Sequence, residues 1–282
     1  MGQVVAIETS LRSEEAVTNR RLHGHRGRML VLTYHAVFAT FEEWAKQEPS
    51  RKWYALTAEQ FEAQMEYLSR QGFTTSLLAE FLQGRSPQKS VVLTFDDGHE
   101  SNFSIVLPIL RKFRFRAEFF VIASRVGRPG YMNWEHLRAF VREGMSVQSH
   151  GLQHVPLPEL AIETLREELT SSKSCLEQNL GTSVQYLALP GGFADQRVYS
   201  EAIAAGYRAI CNSEPGLAST GTTISRVPIM YSTSREMFHD VVHRKLLRLL
   251  RMSAQRQFGK AARALLGVRW YEALKQLQFR IP

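Results

Sequence analysis

Short apolar runs alternate with helical patterns along most of this chain, and this alternation limits the possible folds more than any other feature. Seven such runs occur, at 29–35, 90–96, 116–122, 145–150, 184–190, 207–213 and 223–228. Their polar and apolar residues alternate only in part, which is typical of strands buried on both faces. Because most runs precede a helical pattern, the sequence predicts an α/β fold whose parallel sheet closes as a barrel. An open, doubly wound sheet is the alternative.

The helical patterns carry their own start and stop signals. Thr57 is expected to cap a helix, because Gln60 follows three residues later and apolar residues come next. Further helices are predicted over 101–113, 134–143, 159–179 and 196–205. Glycines follow several of the predicted helices, as expected just past a helix C-terminus. They are Gly72, Gly144, Gly181 and Gly206.

Length and composition indicate how the chain is divided. With 282 residues, of which 44% are hydrophobic, the chain is long enough for one large barrel. Its two cysteines cannot form a disulfide scaffold, and no apolar run reaches the about 18 residues of a membrane span. We expect a peripheral N-terminal segment at 1–28, the barrel at 29–234 and a basic amphipathic helical tail at 235–282.

Positive charge is concentrated in that tail. Residues 235–282 contain 11 Lys and Arg against 3 Asp and Glu, and the remaining residues are balanced at 24 of each sign. A balanced barrel argues against a nucleic-acid enzyme, so no nucleic-acid partner is expected. An apolar stripe from Glu236 to Leu250 predicts either that the tail docks on the barrel or that it contacts an anionic membrane. Since the N-terminus shows no secretion signal, we expect a cytoplasmic protein, with membrane association through the tail as a further prediction.

The strongest chemical signal is Thr94-Phe95-Asp96-Asp97-Gly98, directly after a predicted strand. Two adjacent carboxylates repel each other, and burial adds to that cost. A bound cation removes the cost when one carboxylate ligates it and the other acts as a base beside its water. An ordinary turn is the simpler interpretation, because Asp-Asp-Gly is also common in turns.

Another predicted strand ends in the sequence SHGLQH. His150 and His154 are four residues apart, so one turn can direct both imidazoles at one point, although two surface histidines are the alternative. His239 and His243 have the same spacing but lie in the basic tail, and we interpret them as a solvated helix face. Asp97 with His150 and His154 would supply one oxygen and two nitrogen ligands, which leaves coordination positions open, as in hydrolytic zinc sites.

Two further strand ends carry weaker signals. Pro190-Gly191-Gly192 lets the backbone approach a ligand closely and present a free N–H, which can stabilise an oxyanion, although a turn explains it equally well. His35 ends the first predicted strand. It is either a core histidine bonded to the backbone or a proton donor for a leaving amine.

In this order and at these separations, TFDDG, HGLQH and the proline-containing strand end resemble the polysaccharide deacetylase family, carbohydrate esterase family 4, over residues 29–230. The resemblance implies a distorted (β/α)7 barrel that removes acetyl groups from N-acetylated sugars with a divalent metal, usually zinc. It implies Asp96 as the general base and the Gly191 N–H as the oxyanion donor. The implied metal ligands are Asp97, His150 and His154.

This sequence departs from the family pattern at two places, which concern the general base and the general acid. Many members have an arginine two residues before the motif proline, where this chain has Ala188, and a late Leu-x-His motif that is absent here. The early sequence TYHAV is similar to the branch that includes poly-N-acetylglucosamine deacetylases, and it implies His35 as the general acid. We hypothesise that Arg226 replaces the missing arginine beside Asp96.

Together these features predict a metal-dependent hydrolase, with Zn²⁺ as the expected cofactor, acting on an N-acetylhexosamine-containing glycan or glycolipid. One alternative is an O-deacetylase, or an amidase acting on a non-sugar C–N bond, with the same fold. Another is a non-catalytic glycan-binding barrel, which the missing arginine and late histidine favour. The two aspartates together with the two histidines argue against a binding module, since such a module needs no base beside a metal site.

Overall fold

The structure, a computed structural model, describes residues 27–48 and 52–259. Its strands are β1 (Arg28–Tyr34), β2 (Val37–Phe38), β3 (Leu56–Thr57), β4 (Thr74–Thr75), β5 (Ser90–Phe95), β6 (Glu118–Val121), β7 (Ser146–Ser149), β8 (Tyr186–Ala188), β9 (Ala209–Cys211), β10 (Ala218–Ser219), β11 (Thr223–Ile224) and β12 (Val227–Pro228). Its helices are α1 (Phe41–Ala45), α2 (Ala58–Arg70), α3 (Leu78–Leu82), α4 (Leu107–Phe113), α5 (Trp134–Arg142), α6 (Ile162–Leu180), α7 (Gln196–Ala204), α8 (Arg235–Val242) and α9 (246–259).

Parallel strands form a sheet that curls almost into a closed barrel. β1, β5, β6, β7, β8, β9 and β11 are neighbours in that order, and all these pairs are parallel. β12 pairs with the free side of β1, where Val227 lies opposite Leu32. The segment 223–228 therefore joins both edges of the sheet, which confirms the predicted α/β barrel rather than the open sheet.

Three smaller pairings complete the sheets. β10 pairs antiparallel with the start of β1, and β4 pairs in parallel with the start of β5. β2 and β3 form a separate parallel pair. The sequence did not predict these two-residue strands, because so short a run carries no readable period.

Side-chain alternation along each strand separates two apolar clusters. In β5, Val91, Leu93 and Phe95 belong to the large core between the sheet and the helices, whereas Val92 belongs to a smaller cluster on the opposite face. Because side chains alternate with a period of two, Asp96 points to the same inner face as Val92. The strands therefore bury apolar side chains on both faces, as their composition predicts, and carry polar groups into the barrel at the strand ends.

The longer predicted helices are confirmed with small shifts at their ends. Thr57 and Gln60 form the predicted capping box at the start of α2. The helix predicted over 159–179 is observed as α6, and Gly181 ends it with a left-handed backbone at φ +66°. The segment predicted as one helix over 101–113 begins with a wider, π-helical turn at Asn102–Val106 before α4.

The predicted apolar stripe from Glu236 to Leu250 is divided between two helices. Helix α8 ends before Arg244, which has a left-handed backbone with φ +55°, and α9 begins at residue 246. Within the stripe, Leu249 lies in the core, whereas Leu246 and Leu250 are exposed. The predictions for 1–26 and 260–282 lie outside the described residues. In the described part, no helix combines the length and the apolar character that crossing a bilayer requires.

Candidate active site

Strand ends bring the sequence-predicted residues to one rim of the barrel. β1 and β5 are paired so that Tyr34 lies opposite Phe95, and each strand is followed by a predicted site residue, His35 and Asp96. Two strands further along the sheet, β7 ends directly before His150. Since the carboxyl ends of parallel strands point the same way, residues far apart in sequence meet at this rim.

Asp97, His150 and His154 converge on one point. Oδ1 of Asp97 lies 3.4 Å from Nε2 of His150 and 3.5 Å from Nε2 of His154. One ligand atom from each side chain lies within 4.8 Å of the others, and no other group of this kind is found in 27–48 and 52–259. The structure thus brings together the three residues that the resemblance implies as metal ligands.

The local backbone holds two of these three residues in uncommon conformations. Asp97 has φ +73° and His154 has φ +63°, both in the left-handed region. For residues other than glycine this conformation costs about 1–2 kcal/mol each. Such strain persists where the surrounding structure imposes it, and it concentrates at functional sites.

The three donor atoms fit a divalent cation such as zinc. Nδ1 of His150 lies 2.9 Å from the carbonyl oxygen of Ala188, and an N–H donated there leaves the Nε2 lone pair facing Asp97. Two ligands at about 2.1 Å from a tetrahedral zinc ion lie about 3.4 Å apart, close to the observed separations. Three protein ligands would leave a coordination position free, as catalytic zinc sites do.

Electrostatics favour the charge states that metal ligands require at Asp97 and His154, but not at His150. Burial raises the pKa of the Asp97 carboxyl, but the hydrogen bond from His150 and the positive charges of the nearby histidines outweigh burial and lower this pKa. Burial and the charge of His150 lower the pKa of His154 to about 4, so its imidazole is neutral at neutral pH. Burial lowers the pKa of His150, but Asp96 and Asp97 raise it above its usual value, so a cation there competes with a proton.

Asp96 is held by Arg226 in a buried, two-pronged ion pair. Nη1 and Nη2 of Arg226 donate to the two carboxylate oxygens over 2.7 and 2.8 Å. The arginine side chain is 0% exposed, and its Nε donates to the carbonyl oxygen of Asn212 over 2.9 Å. Arg226 lies between β11 and β12, in the segment that closes the barrel, and this position directs it inward. The structure therefore places it beside Asp96, where the hypothesis put the missing arginine.

The charge of Arg226 keeps Asp96 ionised. Burial raises the pKa of the Asp96 carboxyl, but Arg226, His150 and His35 outweigh burial and leave this pKa below its usual value. Asp96 is thus a carboxylate at neutral pH, with both oxygens oriented by one guanidinium.

His35 follows the end of β1, and Gly191 lies in the turn that follows β8. The carbonyl oxygen of His35 accepts from Nδ2 of Asn102 over 3.0 Å, and its imidazole packs 5.0 Å from the ring of Tyr54. Its Nδ1 is buried and makes no hydrogen bond to the described residues. Gly191 has φ +64°, and a Cβ there would lie 2.9 Å from the ring of Phe193.

Comparisons with known proteins agree with this geometry. The family model for polysaccharide deacetylase matches residues 83–210. Residues 83–210 thus match a polysaccharide deacetylase domain. The matched segment includes Asp96, Asp97, His150, His154 and Gly191, whereas His35 and Arg226 lie outside it.

Curated relatives match more than half of this chain. YxkH from Bacillus subtilis is 28% identical over 165 residues, which cover 57% of this chain and 59% of YxkH. A poly-β-1,6-N-acetyl-D-glucosamine N-deacetylase from Staphylococcus aureus is 26% identical over 186 residues, covering 58% of this chain and 64% of that protein. The matches thus span about three fifths of these relatives.

A solved structure shows the same fold. The deacetylase PplD from Streptococcus pyogenes, in complex with acetate, superposes with a TM-score of 0.70 at 22% identity. The match covers 76% of this chain and 98% of that one. This likeness supports the barrel fold of the deacetylase domain, which the strand pairing shows independently.

Sequence reasoning missed a residue that supports the loop carrying His154. Oε1 of Glu168, on α6, accepts the backbone N–H groups of Leu152 and Gln153 over 2.8 and 2.7 Å. Glu168 is buried on the face of α6 that also buries Leu165 and Leu169. An acidic residue in the apolar stripe of a predicted helix was the signal that could have revealed it.

The second pair of histidines with a four-residue spacing packs against an aromatic side chain. His239 and His243 lie at the end of α8, where Nε2 of His243 is 2.9 Å from the hydroxyl of Tyr67. Both rings also pack against the Tyr67 ring. Among the residues that the structure describes, no cluster of metal-ligand side chains includes this pair.

Proposed function

We propose that this domain removes the acetyl group from an N-acetylhexosamine unit of a glycan or glycolipid, with a bound divalent cation, Zn²⁺ being the expected ion. One observation carries the proposal: three ligand side chains converge at the barrel rim directly beside a carboxylate oriented by a buried arginine. A ligand cluster alone suits many functions, but a cluster with an adjacent ionised base suits hydrolysis.

Asp97, His150 and His154 would hold the cation. When bound, such an ion polarises the acetamide carbonyl and makes water a stronger nucleophile at neutral pH. The Asp97 carboxylate faces the two imidazoles, whereas the Asp96 carboxylate is bound by Arg226, so the adjacent aspartates can take separate tasks. The proton transfers and the stabilisation of the oxyanion are assigned to groups around these three residues.

Asp96 is the proposed general base. Its carboxylate is ionised at neutral pH and can accept the proton of the attacking water. Arg226 acts as a positioning residue, because it binds both carboxylate oxygens and so fixes the plane of the carboxylate. General base catalysis of this kind typically contributes about 10²–10⁴ in rate.

His35 is the proposed general acid and Gly191 the oxyanion donor. His35 follows the strand next to that of Asp96, so the acid and the base flank the same point of the rim. An imidazolium there can protonate the leaving nitrogen of the amide. The N–H of Gly191 would donate to the carbonyl oxygen as it gains negative charge, and one such donor typically contributes about 3–4 kcal/mol.

The substrate class rests on the relatives. One of them is named for N-deacetylation of poly-β-1,6-N-acetyl-D-glucosamine. A secondary amide on a sugar matches the proposed chemistry, since a metal-bound water, an oxyanion donor and an acid for the amine address the three reasons why amides resist hydrolysis.

Metal analysis combined with acetate release tests the proposal. We expect about one zinc ion per purified chain and acetate release from N-acetylglucosamine oligomers but not from O-acetylated sugars without an N-acetyl group. His150→Ala should lose both the metal and the activity. His243→Ala is the matched control, since it removes a histidine of the same spacing outside the site, and it should keep both.

Three results would contradict the proposal. Retention of stoichiometric zinc in His150→Ala would place the metal elsewhere. Preference for O-acetylated sugars, or for a non-sugar amide, would assign another hydrolytic activity to the same site. Binding of glycans without any acetate release in the zinc-loaded protein would make the barrel a binding module.

A further inference from the structure

Helix α9 presents an apolar face to solvent. Six large hydrophobic side chains are exposed among residues 27–48 and 52–259, and four of them lie on this one helix. These four are Leu246, Leu247, Leu250 and Phe258, with exposures of 69%, 62%, 58% and 78%. We call them the outer face of α9. Single exposed hydrophobic residues are normal on a protein surface, but several of them on one helix mark an interaction surface.

The opposite side of α9 is attached to the barrel. Leu249 is buried in the main core, and Met252 packs against it. Nε2 of Gln257 donates to Glu214 over 3.0 Å, and Arg256 lies 3.6 Å from the same carboxylate. The helix therefore has a fixed orientation, and its outer face points away from the protein because of that docking.

The docking also places α9 beside the active-site rim. Nη2 of Arg256 is 3.4 Å from the carbonyl oxygen of Gly191, the residue proposed as oxyanion donor. A Cβ added at Gly192 would lie 2.7 Å from the same guanidinium nitrogen. A partner that covers the outer face of α9 would thus be separated from this rim by the helix itself.

Charge identifies the kind of partner. Residues 244–259 contain five Arg and Lys and no Asp or Glu. Lys245 and Arg248 pair with Asp240, but Arg251 is exposed beside Leu250 and has no ion-pair partner within the described part of the chain. An apolar face bordered by unpaired positive charge is typical of helices that lie in the interface of an anionic membrane.

We propose that the outer face of α9 inserts into the interface of an anionic lipid membrane and holds the active-site rim close to that surface. The apolar side chains would enter the boundary between headgroups and acyl chains, and Arg251 would contact lipid phosphates. An enzyme held in this way reaches glycans attached to, or emerging from, the membrane. The membrane contact does not depend on the proposed catalytic activity, because it rests on the exposed face of α9 and on how this helix docks on the barrel.

Co-sedimentation of the full chain with vesicles tests this inference. We expect binding to vesicles of phosphatidylcholine with phosphatidylglycerol at low salt, weaker binding at 0.15 M salt and little binding to phosphatidylcholine alone. Leu247→Ser with Leu250→Ser should weaken binding about tenfold or more. Arg251→Gln should weaken it about fivefold at low salt. Ile203→Ser is the matched control, because Ile203 is an exposed aliphatic residue on α7, and it should bind like the wild type.

The same measurements define how the inference fails. It is overturned if the wild-type chain does not bind anionic vesicles at low salt. It is also overturned if the double serine variant folds, as judged by its thermal midpoint, and binds as tightly as the wild type. Light scattering that shows a dimer dissociated by the two serines would assign the outer face to a second copy of the chain.

Discussion

Arg226 shows how much one side chain changes the chemistry of a neighbour. A carboxylate as buried as Asp96 would ordinarily take up a proton, because burial disfavours charge. The paired guanidinium reverses this effect, and Asn212 and Thr94 provide further acceptors for its N–H groups. Removing one partner of a buried pair leaves an uncompensated charge, which costs about 3–5 kcal/mol.

Arg226→Met should therefore impair both the fold and the activity. We expect the free energy of unfolding to fall by about 3–5 kcal/mol and kcat to fall about 10²-fold or more with little change in KM. Arg226→Lys should restore part of kcat, since it keeps the charge but not the two-pronged geometry. Full turnover in a folded Arg226→Met protein would remove Arg226 from the proposed mechanism.

Gly191 should tolerate no side chain. In Gly191→Ala the left-handed backbone costs about 1–2 kcal/mol, and the new Cβ would lie 2.9 Å from Phe193. We expect kcat for acetate release to fall at least about tenfold, because the N–H that stabilises the oxyanion moves. Gly181→Ala is the control: Gly181 has a similar φ of +66° but open space around it, so it should lose stability without losing kcat.

At the scale of elements, helix α6 holds the loop that carries His154. Two backbone N–H groups of that loop have Glu168 as their acceptor, and Gly151 lies so close that a Cβ there would be 3.0 Å from the same carboxylate oxygen. The left-handed conformation of His154 follows directly in this loop. The geometry of the ligand cluster thus depends on a helix that carries none of its ligands.

Glu168→Ala should weaken metal binding without touching a ligand. Loss of the acceptor leaves two N–H groups without their partner and frees the loop, so we expect zinc affinity to fall about 10–100-fold in competition with a chelator. Glu167→Ala changes the neighbouring, exposed carboxylate of the same helix and should bind zinc like the wild type. Equal zinc affinity in the two variants would show that the loop holds its shape without α6.

At the scale of the whole molecule, the barrel contains another buried acid, which lies outside the candidate site. Glu118 is at the start of β6, is 0% exposed, and accepts the backbone N–H of Leu78 over 2.7 Å. Its other carboxylate oxygen makes no hydrogen bond within the described residues. Burial raises the pKa of Glu118 to about 7. The proposed mechanism does not use Glu118, so we expect the titration of its carboxyl to change the stability of the fold.

Glu118 should make the protein less stable as the pH rises. Between its usual pKa and about 7, the folded state keeps a proton that the unfolded state has released, so the free energy of unfolding falls with increasing pH. From pH 5 to pH 8 we expect the wild type to lose about 2–3 kcal/mol relative to Glu118→Gln, measured by urea unfolding. Glu167→Gln, at an exposed site, should follow the wild type. Parallel curves for wild type and Glu118→Gln would show that Glu118 is already ionised at pH 5.

Local sequence patterns were sufficient for the longer strands and helices and for the three residues of the candidate metal cluster. Apolar runs, the capping pair Thr57 and Gln60 and the terminal glycine Gly181 act within a few residues, so they can be recognised before the chain is folded. The motif residues Asp97, His150 and His154 are recognisable for the same reason, since each directly follows or lies close to a strand end.

Short-range patterns therefore predicted the alternation of strands and helices, the barrel and several residues at its rim. The folded structure was needed to show how Arg226 reaches Asp96, that Glu168 supports the loop of His154 and that Leu246 and Leu250 of α9 face outward. The physical reason is that these features depend on contacts between residues far apart in the sequence. Arg226 contacts a residue 130 positions away because β11 and β12 pair with opposite edges of the sheet, and the direction of α9 is set by one left-handed residue, Arg244. No periodicity within a short segment records either event.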